Sequence, residues 1–305
     1  MLLEAASDLR VVVGDRMEEM APAAPDATLI LSWSATRELL RDVLAVTPHL
    51  RWLHIMSAGI NHLLSPELAA TPALLTNGRG AFSSSLGEWV MGAILYFAKD
   101  FRRLIRVQGE GRWEPCDVTE VKGQTVGIVG YGDIGREVGT RAHAFGMHVL
   151  GLTRRGPATP PPGDPAEAIF GPAERLDMIA RCDYVVVTAP LTPETRGLMG
   201  AAEIAAMRPD AVLINIGRGP VVDEQALIAA LSQGRIKGAA LDVFHEEPLP
   251  EGHPLFRLEN VLLSPHCADH TPTWLRDAMQ LFLENLQRYR MGEPLWNVVA
   301  KEQGY

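Results

Sequence analysis

The chain has 305 residues, 47% of them hydrophobic and 21% charged, which excludes disorder, collagen-like repeats and a mini-protein scaffold and suits two α/β domains. Lys and Arg number 28 against 37 Asp and Glu, a net charge of −9, so a polyphosphate backbone would be repelled and nucleic acid is not an expected partner. Three scattered cysteines, Cys116, Cys182 and Cys267, form neither a disulfide framework nor a zinc spacing, and no metal is expected.

Short β-branched runs alternate with helix-length segments along the chain. Strands are predicted at 10–13, 28–32, 52–56, 125–129, 148–152, 184–188, 212–216, 239–243 and 261–263. Runs apolar on both faces signal parallel sheets covered on both sides, hence an α/β class of doubly wound type. Several of these strands run into small or polar residues, such as Ser57-Ala58-Gly59, Gly130, Ala189-Pro190 and Gly217-Arg218-Gly219, where ligands bind in open α/β sheets. The most apolar helical stretch, 89–98, stops at Lys99-Asp100, too short for a bilayer. The first residues mix Glu4, Asp8 and Arg10 with apolar ones and show no basic leader, so a cytoplasmic protein without membrane attachment is expected. Residues 101–123, broken by Gly109, Gly111 and Pro115, read as an irregular arm, and the proline-rich run 157–165 reads as a loop.

Gly130-Tyr131-Gly132-Asp133-Ile134-Gly135 follows one predicted strand and opens a helical pattern. Its first glycine permits the tight turn, the second admits a pyrophosphate to the backbone, and the third lets the helix approach the sheet. The next strand ends in Thr153-Arg154-Arg155, where an NAD site would offer an acidic residue to the ribose 2′-OH. A hydroxyl and two guanidinium groups suit a 2′-phosphate instead, so NADP(H) is favoured and NAD(H) stays possible. Arg218, Glu247 and His266 stand at or after three further strand ends. Together they can bring a cation, a carboxylate and an imidazole to one crevice, a set suited to acid–base work.

With these pieces in view the chain resembles the D-isomer-specific 2-hydroxyacid dehydrogenases. The resemblance rests on Gly130–Gly135, on the stretch 189–198, on 215–219, on 242–250 and on Pro265-His266. It implies a Rossmann-type dinucleotide domain (99–272) inserted into a flavodoxin-like substrate domain (1–98 plus 273–305). It also implies a catalytic set of Arg218, Glu247 and His266, and a carboxylate-binding loop whose backbone N–H groups belong to Ala58, Gly59 and Ile60. Ala189, Pro190, Thr195, Ile216, Gly217, Arg218, Asp242, His266 and Ala268 join the glycine motif and 153–155 as implied cofactor contacts. Asp133 and Asp269 depart from the family pattern. The activity implied is reduction of a small 2-oxo acid, of glyoxylate or hydroxypyruvate type, in a homodimer. A phosphoglycerate dehydrogenase-like enzyme and a non-catalytic dinucleotide sensor are the alternatives.

Overall fold

A computed structural model describes residues 7–301. Two compact units divide the chain, with boundaries between Phe82 and Ser83 and between His270 and Thr271.

In the first unit β1 (Leu29–Ser32), β2 (Trp52–Ile55) and β3 (Leu74–Asn77) form a parallel sheet in the order β1-β2-β3. Leu29, Trp52 and Leu74 lie in register. The central strand β2 is buried along its whole length, as a strand covered on both faces must be. Between the strands run α1 (Arg37–Ala45) and α2 (Pro66–Ala70). Thr36 caps α1 by accepting from Leu39 N, and Ser65 caps α2 by accepting from Leu68 N with Pro66 at the first helical position. The C-terminal helix (Trp274–Met291) lays Phe282 and Tyr289 on the Trp52 ring at centroid distances of 5.3 and 5.2 Å.

The second unit opens with α3 (Ser83–Ala98) and α4 (Phe101–Gly109). Then follow β4 (Thr125–Val129), α5 (Asp133–Ala144), β5 (His148–Leu152), β6 (Ala168–Phe170), α6 (Arg175–Ile179), β7 (Tyr184–Val187), α7 (Ala201–Ala206), β8 (Val212–Asn215), α8 (Glu224–Ser232), β9 (Gly238–Leu241) and β10 (Val261–Leu263). All seven strands are parallel, in the order β10-β9-β8-β7-β4-β5-β6. The chain winds outward from β4 to β6 and then returns to β7 on the other side of β4. That reversal is the topological switch point at which such sheets bind ligands.

The structure departs from the sequence reading at identifiable places. Residues 10–13 form no strand, and Val13 is 83% exposed, because a β-branched run without a neighbouring strand has no ladder to join. The short strands β3 and β6 go unpredicted, β3 because its four residues lack alternation and β6 because three residues follow a proline-rich stretch. Part of the expected irregular arm is the helix α4, with Gly109 as its last residue: the glycine ends a helix there instead of interrupting one. The helix α3 belongs to the second unit although the sequence reading assigned 1–98 to the first. It packs on β9 through Phe97, whose ring fills the space a side chain at Gly238 would need, and it is tied to α5 through Ser84, whose hydroxyl accepts from Arg141 Nη2 at 2.7 Å.

Candidate functional site

The loops that follow β4, β5, β7, β8, β9 and β10 carry the candidate residues of the second unit. Gly130 leaves β4 with φ 96, a backbone region that only glycine enters freely. It lies so close to Ala189 after β7 that a Cβ would stand 2.6 Å from the Ala189 backbone. Gly132 and Asp133 then open α5, a 12-residue helix whose first N–H groups have no partner within the helix. Such a helix start offers N–H donors of the kind an anion accepts. Farther along, Thr153 Oγ1 donates to Gly156 O at 3.2 Å and closes the turn that displays Arg154 and Arg155 on the surface. No acidic side chain stands in that turn, so the donor set fits a 2′-phosphate and offers a ribose 2′-OH no carboxylate. Thr195 is spent within its own loop: its hydroxyl donates to Pro190 O at 2.6 Å and accepts from Thr192 N at 2.8 Å. It shapes the loop that carries Ala189 and Pro190.

Arg218 follows β8 in extended backbone, with Asn215 bracing the loop by donating from Nδ2 to Arg218 O and accepting from Gly217 N. Its Nη1 donates to Gly217 O at 2.7 Å. Burial pulls the Arg218 guanidinium below its ordinary pKa, and the carboxylates of Glu247, Asp269 and Asp242 oppose that shift. The next residue, Gly219, meets the loop after β9 so closely that a Cβ would overlap Phe244 O. The Arg218 and Glu247 loops are thereby packed backbone to backbone.

Glu247 and His266 form the central pair. His266 Nδ1 lies 2.7 Å from Glu247 Oε2, and Glu247 Oε1 accepts from Phe244 N at 2.9 Å. A carboxylate partner fixes the hydrogen on Nδ1, leaving Nε2 as the end of the ring that exchanges a proton outward. The bond to Glu247 raises the His266 pKa above its ordinary value, against burial and the charge of Arg218. Burial would raise the Glu247 carboxyl, but its hydrogen bonds from His266 and Phe244 N hold it below the usual range.

The His266 backbone has φ 51, an uncommon region for a side-chain-bearing residue. Asp242 holds it there. Asp242 O accepts from His266 N at 2.8 Å, while Asp242 Oδ1 accepts from Ser264 Oγ at 2.6 Å, Cys267 N at 2.9 Å and Ala268 N at 3.2 Å. Ser264, next to the Pro265-His266 pair, thus has a part the sequence reading does not give it. Glu224 and His253 also escaped that reading, and both bear on the Glu247 loop.

In the first unit the loop after β2 is organised by its carbonyls. Ser57 O accepts from Gly78 N at 3.0 Å, Ala58 O from Asn77 Nδ2 at 2.7 Å, and Gly59 O from Ser57 Oγ at 2.9 Å. In a trans peptide the N–H points opposite to the C=O. Each of these bonds therefore turns the following N–H, of Ala58, Gly59 and Ile60 in turn, away from the acceptor's partner. Those three donors are left for a partner outside these bonds.

Residues 91–268 match the family described as D-isomer specific 2-hydroxyacid dehydrogenase, NAD binding domain. The chain is 31% identical, over 98% of its length, to a D-3-phosphoglycerate dehydrogenase of Methanocaldococcus jannaschii, and spans 56% of that longer protein. It is 34% identical to a glyoxylate reductase of Thermofilum pendens, covering 91% of this chain and 82% of the other. A solved D-isomer specific 2-hydroxyacid dehydrogenase from Xanthobacter autotrophicus Py2, in complex with NADPH and MES, superposes with a TM-score of 0.87 at 33% identity, covering 100% of this chain and 94% of that one. Family match, relatives and solved structure agree: the chain belongs to the D-isomer-specific 2-hydroxyacid dehydrogenases, a family of NAD(P)-dependent oxidoreductases.

Proposed function

We propose that the protein reduces a small 2-oxo acid, of glyoxylate or hydroxypyruvate type, to the D-2-hydroxy acid with NADPH as the preferred reductant. The observation that carries this reading is the 2.7 Å bond between His266 Nδ1 and Glu247 Oε2 in loops packed against that of Arg218. When bound, the nicotinamide supplies the hydride that the carbonyl carbon receives. His266 gives the proton on Nε2 to the carbonyl oxygen, and Glu247 keeps the ring charged near neutral pH. Arg218 presents a planar two-donor fork to the substrate carboxylate and polarises the carbonyl. The N–H groups of Ala58, Gly59 and Ile60 are assigned to substrate carboxylate oxygen. Gly130–Gly135 and the start of α5 would hold the pyrophosphate, Arg154 and Arg155 the 2′-phosphate, and Ala189, Pro190, Ile216, Gly217, Asp242 and Ala268 the remainder of the dinucleotide.

Support for the substrate class comes from the glyoxylate reductase relative, and for the reductant from the NADPH-bound neighbour and from Thr153-Arg154-Arg155. The phosphoglycerate dehydrogenase relative favours a second reading, a dehydrogenase of a phosphorylated 2-hydroxy acid. A panel of glyoxylate, hydroxypyruvate, 2-oxobutyrate and phosphohydroxypyruvate, each with NADPH and NADH, separates the two. Replacing Arg154 and Arg155 with Ala should weaken NADPH by roughly tenfold or more, the worth of lost bonds to a charged group, and leave NADH nearly unchanged. Equal loss of both cofactors overturns the 2′-phosphate assignment, and no turnover of any acid favours the sensor. We also assign the exposed Phe101, Leu104 and Ile105 of α4, with Trp113, to a homodimer contact. A monomer mass at micromolar concentration would remove that assignment.

A further inference from the structure

Residues 245–253 carry Glu247, yet they contain no helix or strand, and all of them except Leu249 and His253 are exposed. Nothing in such a stretch fixes a carboxylate by itself. Its two ends, however, converge on one side chain. Glu224, the first residue of α8, accepts from His245 N on Oε2 at 3.3 Å and faces His253 Nε2 with Oε1 at 3.3 Å. On the opposite side of the same ring, His253 Nδ1 accepts from Leu255 N at 3.4 Å. With Nδ1 accepting, the ring hydrogen sits on Nε2 and points at the Glu224 carboxylate. Glu224 and His253 are 18% and 16% exposed, and α8 itself is capped by Asp223, which accepts from Ala226 N at 3.0 Å. The anchor is therefore a carboxylate at a capped helix N-terminus, where the dipole favours it.

We propose that Glu224, together with His253, is a positioning residue for the Glu247–His266 pair. It closes the loop onto α8 and so fixes where the Glu247 carboxylate stands. The proposal rests on the reading of His266 as the proton donor. Its physical basis is that Glu247 Oε1 is bound to Phe244 N, inside the segment adjoining the loop. A loop freed at His245 and His253 moves the carboxylate with it, and the hydrogen bond that holds the proton on His266 lengthens. Misplacement on that scale lowers rates by up to about 10²-fold in enzymes.

The test uses the full chain with Glu224→Ala, Glu224→Gln and His253→Asn. The first readout is the titration midpoint of His266, followed by NMR with ring-labelled histidine and assigned by the signal missing from His266→Ala. The second is kcat and KM for NADPH and for the 2-oxo acid. In Glu224→Ala the His266 midpoint should move to lower pH, and kcat should fall roughly tenfold or more while KM for NADPH holds. Glu224→Gln keeps one acceptor for His245 N–H and should fall between that variant and the wild type. A folded Glu224→Ala with the wild-type midpoint overturns the proposal, whatever its kcat. Should Glu224→Ala fail to fold, unmoved midpoints in both Glu224→Gln and His253→Asn overturn it equally. The midpoint requires no turnover, so a protein that reduces none of the acids would end the proposed function and leave this comparison readable.

Discussion

Two histidines of this chain, one in each unit, are driven in opposite directions by their surroundings. His54 lies in the middle of the first sheet, fully buried, beside Trp52 and Phe282 at ring distances of 6.1 and 5.3 Å. Among the described residues its hydrogen-bond partner is a hydroxyl: Nδ1 meets Thr76 Oγ1 at 2.7 Å, and the same oxygen accepts from Trp52 Nε1 at 2.8 Å. Burial pushes its pKa down to about 4. His266 leaves the second sheet at 44% side-chain exposure and meets a carboxylate, and its pKa rises. One imidazole is thus a neutral piece of core, and the other is held towards its charged form. The partner and the water, not the residue type, make the difference.

The two environments give opposite pH signs. His54 binds a proton more readily unfolded, near 6.5, than folded, near 4, so it withdraws stability as pH falls through that window. The raised pKa of His266 contributes stability below its unfolded value, and that contribution is lost as pH rises through the folded value.

The sharpest break of the contrast is His266→Ala, which should lower kcat for reduction by roughly 10²–10⁴-fold, the range of a general acid, while NADPH still binds. Stopped-flow reduction and a fluorescence titration of NADPH measure the two parts. Near-normal kcat would transfer the acid role to another group and end the comparison. Next in size, the wild type should lose on the order of 3 kcal/mol of first-unit stability from His54 between pH 6.5 and pH 4. Urea unfolding across that window should show it, and His54→Leu should flatten the slope; an equal slope in both would refute the core assignment. Thr76→Val leaves the Trp52 N–H and one His54 nitrogen without their partner and should cost about 1–3 kcal/mol at neutral pH, read by the same unfolding curves. The finest test is Glu247→Gln. The carboxylate stabilises imidazolium, so its removal lowers the His266 pKa and the alkaline limb of the reduction profile should move towards acid. An unmoved limb under saturating NADPH would separate Glu247 from the proton.

Much of the second unit could be read from local sequence. The motif at Gly130–Gly135 stands between β4 and α5, and β5 runs over His148–Leu152 as predicted. Strand-end placement marks Arg218, Glu247 and His266 as candidates, and the structure pairs the second with the third. The first unit was less legible: β3 was missed, and 10–13 was expected to be a strand. Four-residue strands carry too little period to announce themselves, and their existence depends on neighbours that a local window does not contain. The assignment of α3 failed for a related reason. An apolar helix says that it is buried but not which sheet buries it.

Local chemistry therefore determined the parallel α/β class, the glycine turn into α5 and the acid-free turn at Thr153-Arg154-Arg155. Each depends on a few consecutive residues whose backbone freedom or charge acts where they stand. Only the tertiary structure decided that Glu247 reaches His266 at 2.7 Å, that Asp242 holds His266 at φ 51, and that Glu224 gathers both ends of residues 245–253. Those contacts join separate strand ends, so they form only when the sheet order brings the loops together. Tertiary packing within each unit likewise sets the exposure of its imidazole, buried for His54 and open on one side for His266.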